Sequence, residues 1–595
     1  MQSTGVPPSN RRLQSWKEIA AFFDSDQRTV RRWEKERGLP IHRVPGSAGA
    51  KVFAYTEELT RWLERPKAEA GPNHAAISVE PAPQPAAERW PYDFLSILDQ
   101  PMARGLALTA LCALVAFVIA WRFLPVTGGA PQRPMMHAIA VLPLTSLTGE
   151  PGQDYLAAGM TDELITELAR IGSIRVVSRT SVQKYAKMTK ALPVIANELN
   201  VDAIVEGSVS RSDGEIRVNV QLLDARNDRH IWADTLTRSL DHESSLQHEL
   251  AAQIANQIGV QLTPFEKQYF SGHHAVTPES FEAYLQGRYY WNKRTPDGLA
   301  EAEKYFQEAA VKDTRNPLAY AGLADTYLLE YLYSRVATAE TLKKARAAAS
   351  RAIALDNQLA EAHCSMAYAL FLEDWDFAGA EKEYRRALEL NPNFATAHQW
   401  YAELLSALAR HDEAVAEVRK AEELDPFSMI IHHEAGQILQ NAREYPQALE
   451  EYGKAEAIDP DFSQPHDSSA LAYRRMGQLD QALKELRIAA KLNGDFFGLS
   501  AVDSMAQAYA TSGKRGFLEQ SLAGRRFYPH PEYSIALDHA ALGDKDKAFD
   551  ALENAFRAHD LDVLSILSAP EFDSLHNDAR YKSLVRRIGL LSAHQ

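Results

Sequence analysis

The chain has 595 residues, 46% of them apolar, and a net charge of -15. That length is too great for one hydrophobic core, and that apolar content excludes a generally disordered chain, so about four modules are expected at roughly 150 residues each. Two cysteines, Cys112 and Cys364, exclude a disulfide framework and a cysteine zinc site. The charge is unevenly spread. Residues 1–67 hold 13 Lys or Arg against 8 Asp or Glu, a surplus of five positive charges, which leaves -20 on the remainder. Only the head is therefore expected to meet a polyanion.

In the stretch LQSWKEIAAFFDSDQ, Ser15 and Glu18 have capping-box spacing, and Trp16, Ile19, Ala20 and Phe23 share a helical face. Asp26 caps a second expected helix that runs to about Arg37, with Gly38 and Pro40 as stop signals. Val30 and Trp33 face inward on it, while Gln27, Arg28, Arg31 and Lys35 point outward and Arg32 lies at the edge. IHRV and KVFAY flank the turn PGSAGA and predict a hairpin. A closing helix follows, with Thr56 as cap and Leu59, Trp62 and Leu63 as its apolar stripe.

This order, from Leu13 to Leu63, resembles the winged, MerR or excisionase-like helix-turn-helix family. The resemblance implies that the second helix enters the major groove of double-stranded DNA and that the hairpin touches the backbone. It makes Gln27, Arg28 and Arg31 base-reading candidates, and Arg32, Lys35, His42, Arg43 and Lys51 phosphate-binding ones. A solvated basic surface is the alternative reading. The domain is expected over residues 11–66.

Residues 67–103 are rich in Pro and Ala, without periodicity, and read as a flexible linker. GLALTALCALVAFVIAW follows between Arg104 and Arg122. With its flanks at 104–124 it is long enough at ~1.5 Å per residue to cross a hydrocarbon core of ~30 Å once, in contact with the lipid bilayer. Flanking charges are balanced and do not orient it. A DNA-binding head would place the N-terminus in the cytoplasm and the rest beyond the bacterial inner membrane, in the periplasm.

From 135 to 262 the pattern predicts a small α/β domain: a strand at Ala138 to Leu144, a helix, a strand in SIRVVSR, another helix, three antiparallel strands and a closing helix. The order resembles the TolB N-terminal or FlgO-like domain. Asp162, Glu163 and Glu167 fall at helical spacing and read as a wet helix face. There is no phosphate loop, nucleophile elbow or metal-spaced His/Glu cluster, so no catalytic residue, metal or cofactor is expected.

Asn391-Pro392, Asp425-Pro426 and Asp459-Pro460 recur every 34 residues, and Asn493-Gly494 falls one interval on. Ala380/Ala387, Ala414/Ala421, Ala448/Ala455 and Ala482/Ala489 mark close helix approaches, with Tyr384, Val418, Tyr452 and Leu486 between them. This resembles the tetratricopeptide family and predicts an all-α superhelix over 275–592, distorted between Gly494 and Tyr533. The resemblance implies a groove for a protein or peptide of unknown identity. Tyr289, Tyr290, Trp291, Trp375 and Trp400 are groove candidates, although most are expected in the core. The adjacent His432 and His433 lack sequential ligand spacing.

The expected fold is multidomain: a small helix-turn-helix with a β wing, one transmembrane helix, an α/β domain and a repeat superhelix. The plan resembles membrane-integrated transcriptional regulators of the CadC and ToxR type, which implies transcriptional control and homodimerisation when active. No enzyme is expected, because no region shows convergent nucleophile, base and oxyanion elements. The competing reading is a membrane-anchored repeat scaffold for envelope protein assembly.

Overall fold

The computed structural model describes two units. In the first they are residues 12–13, 16–23, 30, 39–43, 52–55 and 59. In the second they are residues 136–590 apart from 148–153, 187, 189, 213–214, 240–242, 272–275, 334–338 and 526–530. The expected linker (67–103) and membrane span (104–124) lie outside the described residues, among which no helix is long and apolar enough to cross a membrane.

In the first unit, β1 (Arg12–Leu13), β2 (His42–Arg43) and β3 (Val52–Tyr55) form an antiparallel sheet with β3 in the centre. His42 pairs with Phe53 and Arg43 with Val52, which is the expected hairpin. β1, which the apolar pattern did not announce, adds the third strand by pairing Arg12 with Tyr55. The helix Trp16–Phe22 contributes Ile19 and Ala20 to a small core with Leu13, Val30, Leu39, Ala54 and Leu59.

The second unit begins with a βαβ arrangement. β4 (Ala138–Val141) lies parallel to β6 (Arg175–Val176), with the helix Asp154–Ala169 between them in sequence. The expected first strand is split. β4 stops at Val141, and β5 (Thr145–Ser146) resumes the pairing with β7 (Ala203–Ser212) beyond Pro143, whose nitrogen has no hydrogen to give a ladder. β7, β8 (Glu215–Asp224) and β9 (Arg229–Ser239) make an antiparallel meander, so the sheet order is β6-β4-β7-β8-β9 with β5 also on β7. At Gly207 a Cβ would stand 2.1 Å from the Asn219 carbonyl oxygen, so only glycine permits that strand approach. Buried Ile139, Val141, Ile204, Val205, Val218 and Val220 form the sheet's share of the core. The helices Asp154–Ala169 and Glu243–Gln257 pack on the sheet and on each other.

From Pro278 onward the chain is a succession of antiparallel helix pairs. Six regular pairs run from Pro278–Trp291 with Pro296–Lys312 to Gln464–Arg475 with Leu479–Leu492. The expected alanines are at the close approaches: Ala380, Ala387, Ala414, Ala421, Ala448 and Ala455 are fully buried, as are Tyr384, Val418 and Tyr452 between them. Residue sizes are matched across each pair. Gly436 faces Tyr452, where a Cβ would meet the ring at 2.3 Å, and Gly287 and Gly322 both face Phe306 in the same way. The second helices of the central pairs end at Leu390, Leu424 and Ile458 with the residue before proline as cap, and the N–H groups of those caps, Asn391, Asp425 and Asp459, close on the carbonyls of Ala387, Ala421 and Ala455. The distortion expected after Gly494 is a helix, Phe496–Arg525, broken at Gly513 (φ 60°, ψ -151°), a conformation open to glycine.

Candidate functional site

The helix Asp154–Ala169 is where the structure departs most from the sequence pattern. Asp162, Glu163 and Glu167 are not a wet face: all three are buried, because the first repeat helices cover that side. Arg288, on the helix Pro278–Trp291, donates from Nε and Nη2 to Asp162 Oδ2 at 2.9 and 2.7 Å, and its Nη1 lies 3.7 Å from Asp325. Its guanidinium also lies over the Trp291 ring, 4.6 Å from the centroid. The Tyr284 hydroxyl donates to Glu163 at 2.7 Å and the Tyr269 hydroxyl to Glu167 at 3.1 Å.

Two neighbouring acids titrate in opposite directions. Burial pushes the Asp162 carboxyl up, but the charges of Arg288 and Arg179 outweigh it and hold the group below the ordinary carboxylate value. Among the described residues Glu163 has no direct ion-pair partner. Burial raises its pKa to about 8, beyond what the Tyr284 hydrogen bond and the Arg288 charge reverse, so it is a neutral acid at pH 7. Burial likewise raises Asp325 to about 6.

Beside this network lies a cavity of about 470 Å³ bounded by both the sheet domain and the first repeats. Glu167 Oε2, Arg170 Nε and Gln247 Oε1 line it and are buried without a hydrogen bond. Arg170 Nε stands 3.6 Å from Glu167 Oε1 and His248 Nε2 3.6 Å from Glu167 Oε2, and buried polar atoms at such spacing beside a cavity of this size are the setting for ordered water or for the polar groups of a ligand.

The remainder of the junction is backbone recognition. The Asn393 side-chain amide donates to the carbonyls of Ala169, Ile171 and Ile174 at 2.9–3.3 Å. Ser181 Oγ donates to Asp425 at 2.6 Å and accepts from the Phe427 N–H at 2.9 Å, while the Ser178 N–H donates to the Leu424 carbonyl at 2.7 Å. Lys184 Nζ lies over the Phe427 ring. The Asn-Pro and Asp-Pro turns that end the repeat helices thus also hold the sheet domain.

The five aromatic groove candidates divide as follows. Trp291 and Trp400 are buried, and Trp400 stacks on Tyr368 at 4.1 Å. Tyr289 and Tyr290 are half-buried, Tyr290 stacks on Tyr305, and half-buried Trp375 stacks on His559. On the first helices of successive pairs, the Tyr368 hydroxyl donates to Glu403 at 3.1 Å, and Glu403 is pushed well up by burial and by the Glu434 charge. Of the residues expected to meet DNA, His42 and Arg43 form β2. Gln27, Arg28, Arg31, Arg32, Lys35 and Lys51 lie outside the described residues.

A second repeating feature escaped the sequence pattern. His363, His398, His432 and His466 stand at intervals of 35, 34 and 34, and each directs Nδ1 at a glutamate on the following helix: Glu383 at 2.6 Å, Glu417 at 2.5 Å, Glu451 at 3.0 Å and Glu485 at 2.8 Å. Those glutamates are themselves 34 apart. The periodicity was readable, but two residues 19 or 20 apart look unrelated until the helices fold back.

A tetratricopeptide repeat family model matches residues 371–430. "Putative adenylate cyclase 3" of Rhizobium meliloti (strain 1021) is 30% identical over 241 residues, which is 40% of this chain and 41% of that relative. Solved structures that are similar include YrrB, a TPR protein with an unusual peptide-binding site (18% identity, 33% of this chain and 97% of that one, TM-score 0.26). They also include PilF of Pseudomonas aeruginosa (19%, 36% and 95%, TM-score 0.30) and a thermophilic TPR protein of Thermus thermophilus (18%, 33% and 99%, TM-score 0.28). The C-terminal region is an all-α, TPR-like helical superhelix.

Proposed function

We propose that this chain is a repeat scaffold whose superhelix receives a segment of a partner protein, with the sheet domain docked on its flank as a fixed bracket. The observation that carries this reading is the division of labour within the repeats: alanine, glycine and one bulky residue bury each pair, while the first helices present Gln399, Glu403 and Glu434 beside one another. Burial raises both carboxyls, and Glu434 raises Glu403 further, so a cation relieves the pair and the partner segment carries Lys or Arg. The test places a photo-crosslinking residue at Glu403 and, as a control, at Lys420 on a second helix. Crosslinks to one partner from position 403 and none from 420 support the reading, and equal yields refute it.

The transcriptional reading stands second, favoured by the β2 and β3 hairpin and by the core that Ile19, Val30 and Leu59 share in the first unit. In that reading the head binds DNA, the apolar stretch at 104–124 anchors the chain in the inner membrane, and the scaffold lies on the far side. The relative's matched part is less than half its length, so no activity is carried over from its name.

A further inference from the structure

The four histidine rungs are not equivalent, and the difference singles out the last. In the first three, Nε2 meets the carbonyl of the residue six positions earlier: Asn357 at 3.0 Å, Pro392 at 3.1 Å and Pro426 at 3.1 Å. With both ring nitrogens engaged by protein oxygens, those three rings offer no free nitrogen to a metal. Among the described residues His466 makes a contact at Nδ1 alone. That Nδ1 faces two carboxylates, Glu485 at 2.8 Å and Glu456 at 3.5 Å, so a cation bound among the three would take the place of the hydrogen on Nδ1.

The third rung is an internal comparison. Glu422, His432 and Glu451 occupy the positions 34 residues before Glu456, His466 and Glu485, and in both sets one donor atom from each residue lies within 4.8 Å of the others. In the third rung the charge is already met. Arg419 bonds both glutamates and Lys454 reaches Glu451 at 3.0 Å. One repeat later the corresponding positions are Gly453 and Ile488. Among the described residues, His466 is the only charged or titratable partner in contact with Glu456 or Glu485. The place taken by a guanidinium in one repeat is filled by nothing in the next, and a Cβ built on Gly453 meets no atom within 4 Å.

We infer that Glu456, His466 and Glu485 bind a divalent transition cation of the Zn²⁺ class. Two ligand atoms on a tetrahedral Zn²⁺ with bonds of ~2.0–2.1 Å stand roughly 3.3 Å apart, close to the donor separations here. One imidazole and two carboxylates form a borderline donor set that prefers Zn²⁺ over Mg²⁺ or Ca²⁺, and the partial exposure of Glu456 leaves a path for the ion and for a water ligand. The ligands come from the helices Tyr445–Ile458, Gln464–Arg475 and Leu479–Leu492. A bound ion therefore clamps the last regular repeat just before the break at Gly513. This inference is independent of what the scaffold holds.

The test titrates the full-length chain with Zn²⁺ by calorimetry and with Co²⁺ by visible absorption, alongside Gly453→Arg, His466→Phe and the Mg²⁺ and Ca²⁺ salts. Gly453→Arg leaves every ligand in place and supplies the guanidinium that the preceding repeat contains. The expected result is binding of Zn²⁺ and Co²⁺, weakened at least tenfold in Gly453→Arg and in His466→Phe, with helical circular dichroism retained. Three results would each overturn the inference: no Zn²⁺ bound by the folded wild type, unchanged affinity in folded Gly453→Arg, or Mg²⁺ and Ca²⁺ bound as tightly as Zn²⁺. If a variant fails to fold, Co²⁺ on the wild type decides alone, since d–d bands of a nitrogen and oxygen ligand set are expected and a purely aquo spectrum refutes it.

Discussion

Replacing Arg288 by Met probes the junction between the sheet domain and the repeats. Methionine keeps most of the side-chain volume over Trp291 but removes, among the described residues, the only direct ionic partner of Asp162, whose side chain is 7% exposed, and the cation in contact with Asp325. A buried carboxylate stripped of its partner costs about 3–5 kcal/mol. Protonation sets a ceiling on that cost. Neutralising a carboxyl of ordinary pKa about 3.9 at pH 7 costs roughly 1.4 kcal/mol for each of about three units, or about 4 kcal/mol for Asp162. Asp325, already raised to about 6, adds little. The sign follows from linkage. A depressed native pKa means that Asp162 contributes stability above its unfolded pKa, fully at both pH 7 and pH 5. In the variant the cost of protonating the stripped carboxyl falls with pH, so the penalty shrinks toward about 1.5 kcal/mol at pH 5. Urea unfolding of the wild type and Arg288→Met at pH 7 and pH 5, with Arg288→Met/Asp162→Asn as the rescue, measures this. A penalty equal at both pH values, or no rescue by the double variant, would show that Arg288 acts through packing and would refute the electrostatic argument.

Gly436→Ala should destabilise the repeats by about 1–2 kcal/mol. The Cβ at 2.3 Å from the Tyr452 ring forces a repacking costing ~1–3 kcal/mol, which exceeds the helix-propensity gain of about 1 kcal/mol; an unchanged denaturation midpoint would refute the size matching. The adjacent His432 and His433 should act oppositely on stability. Burial lowers the His432 pKa, but hydrogen bonds to Glu422 and Glu451 raise it to about 9, so its contribution is complete below pH 6.5 and disappears as pH rises through 9. Burial alone lowers His433 to about 4, so its contribution is complete above pH 6.5 and falls away toward pH 4. Titration of both imidazoles by NMR checks the two directions. Glu163→Gln should flatten the fall in stability between pH 4.5 and 8 that a carboxyl raised to about 8 imposes, as read from unfolding midpoints across that range. For the second functional reading, Arg31→Ala/Arg32→Ala should abolish DNA binding and its steep salt dependence; retained operator binding by the folded variant would count against that reading.

The repeats were legible in the sequence because they are local and periodic. A 34-residue spacing of Asn-Pro and Asp-Pro, with small residues at set offsets, states where each helix ends and which faces meet its neighbour, and Ala414, Val418 and Ala421 are buried where that spacing puts them. The strands of the sheet domain were legible for the same reason, since alternation and turn residues act over a few positions. What the tertiary structure decided is what happens between segments far apart in the chain. Asp162, Glu163 and Glu167 have the spacing of a solvated helix face, and only the docking of a helix more than a hundred residues later makes them a buried network with divided protonation. The histidine rungs belong to the same kind: each histidine and its glutamate stand 19 or 20 residues apart and meet only after the helices fold back. Local pattern determines which elements form and which side they bury, whereas the charge state of a side chain depends on desolvation and on neighbours that folding brings to it.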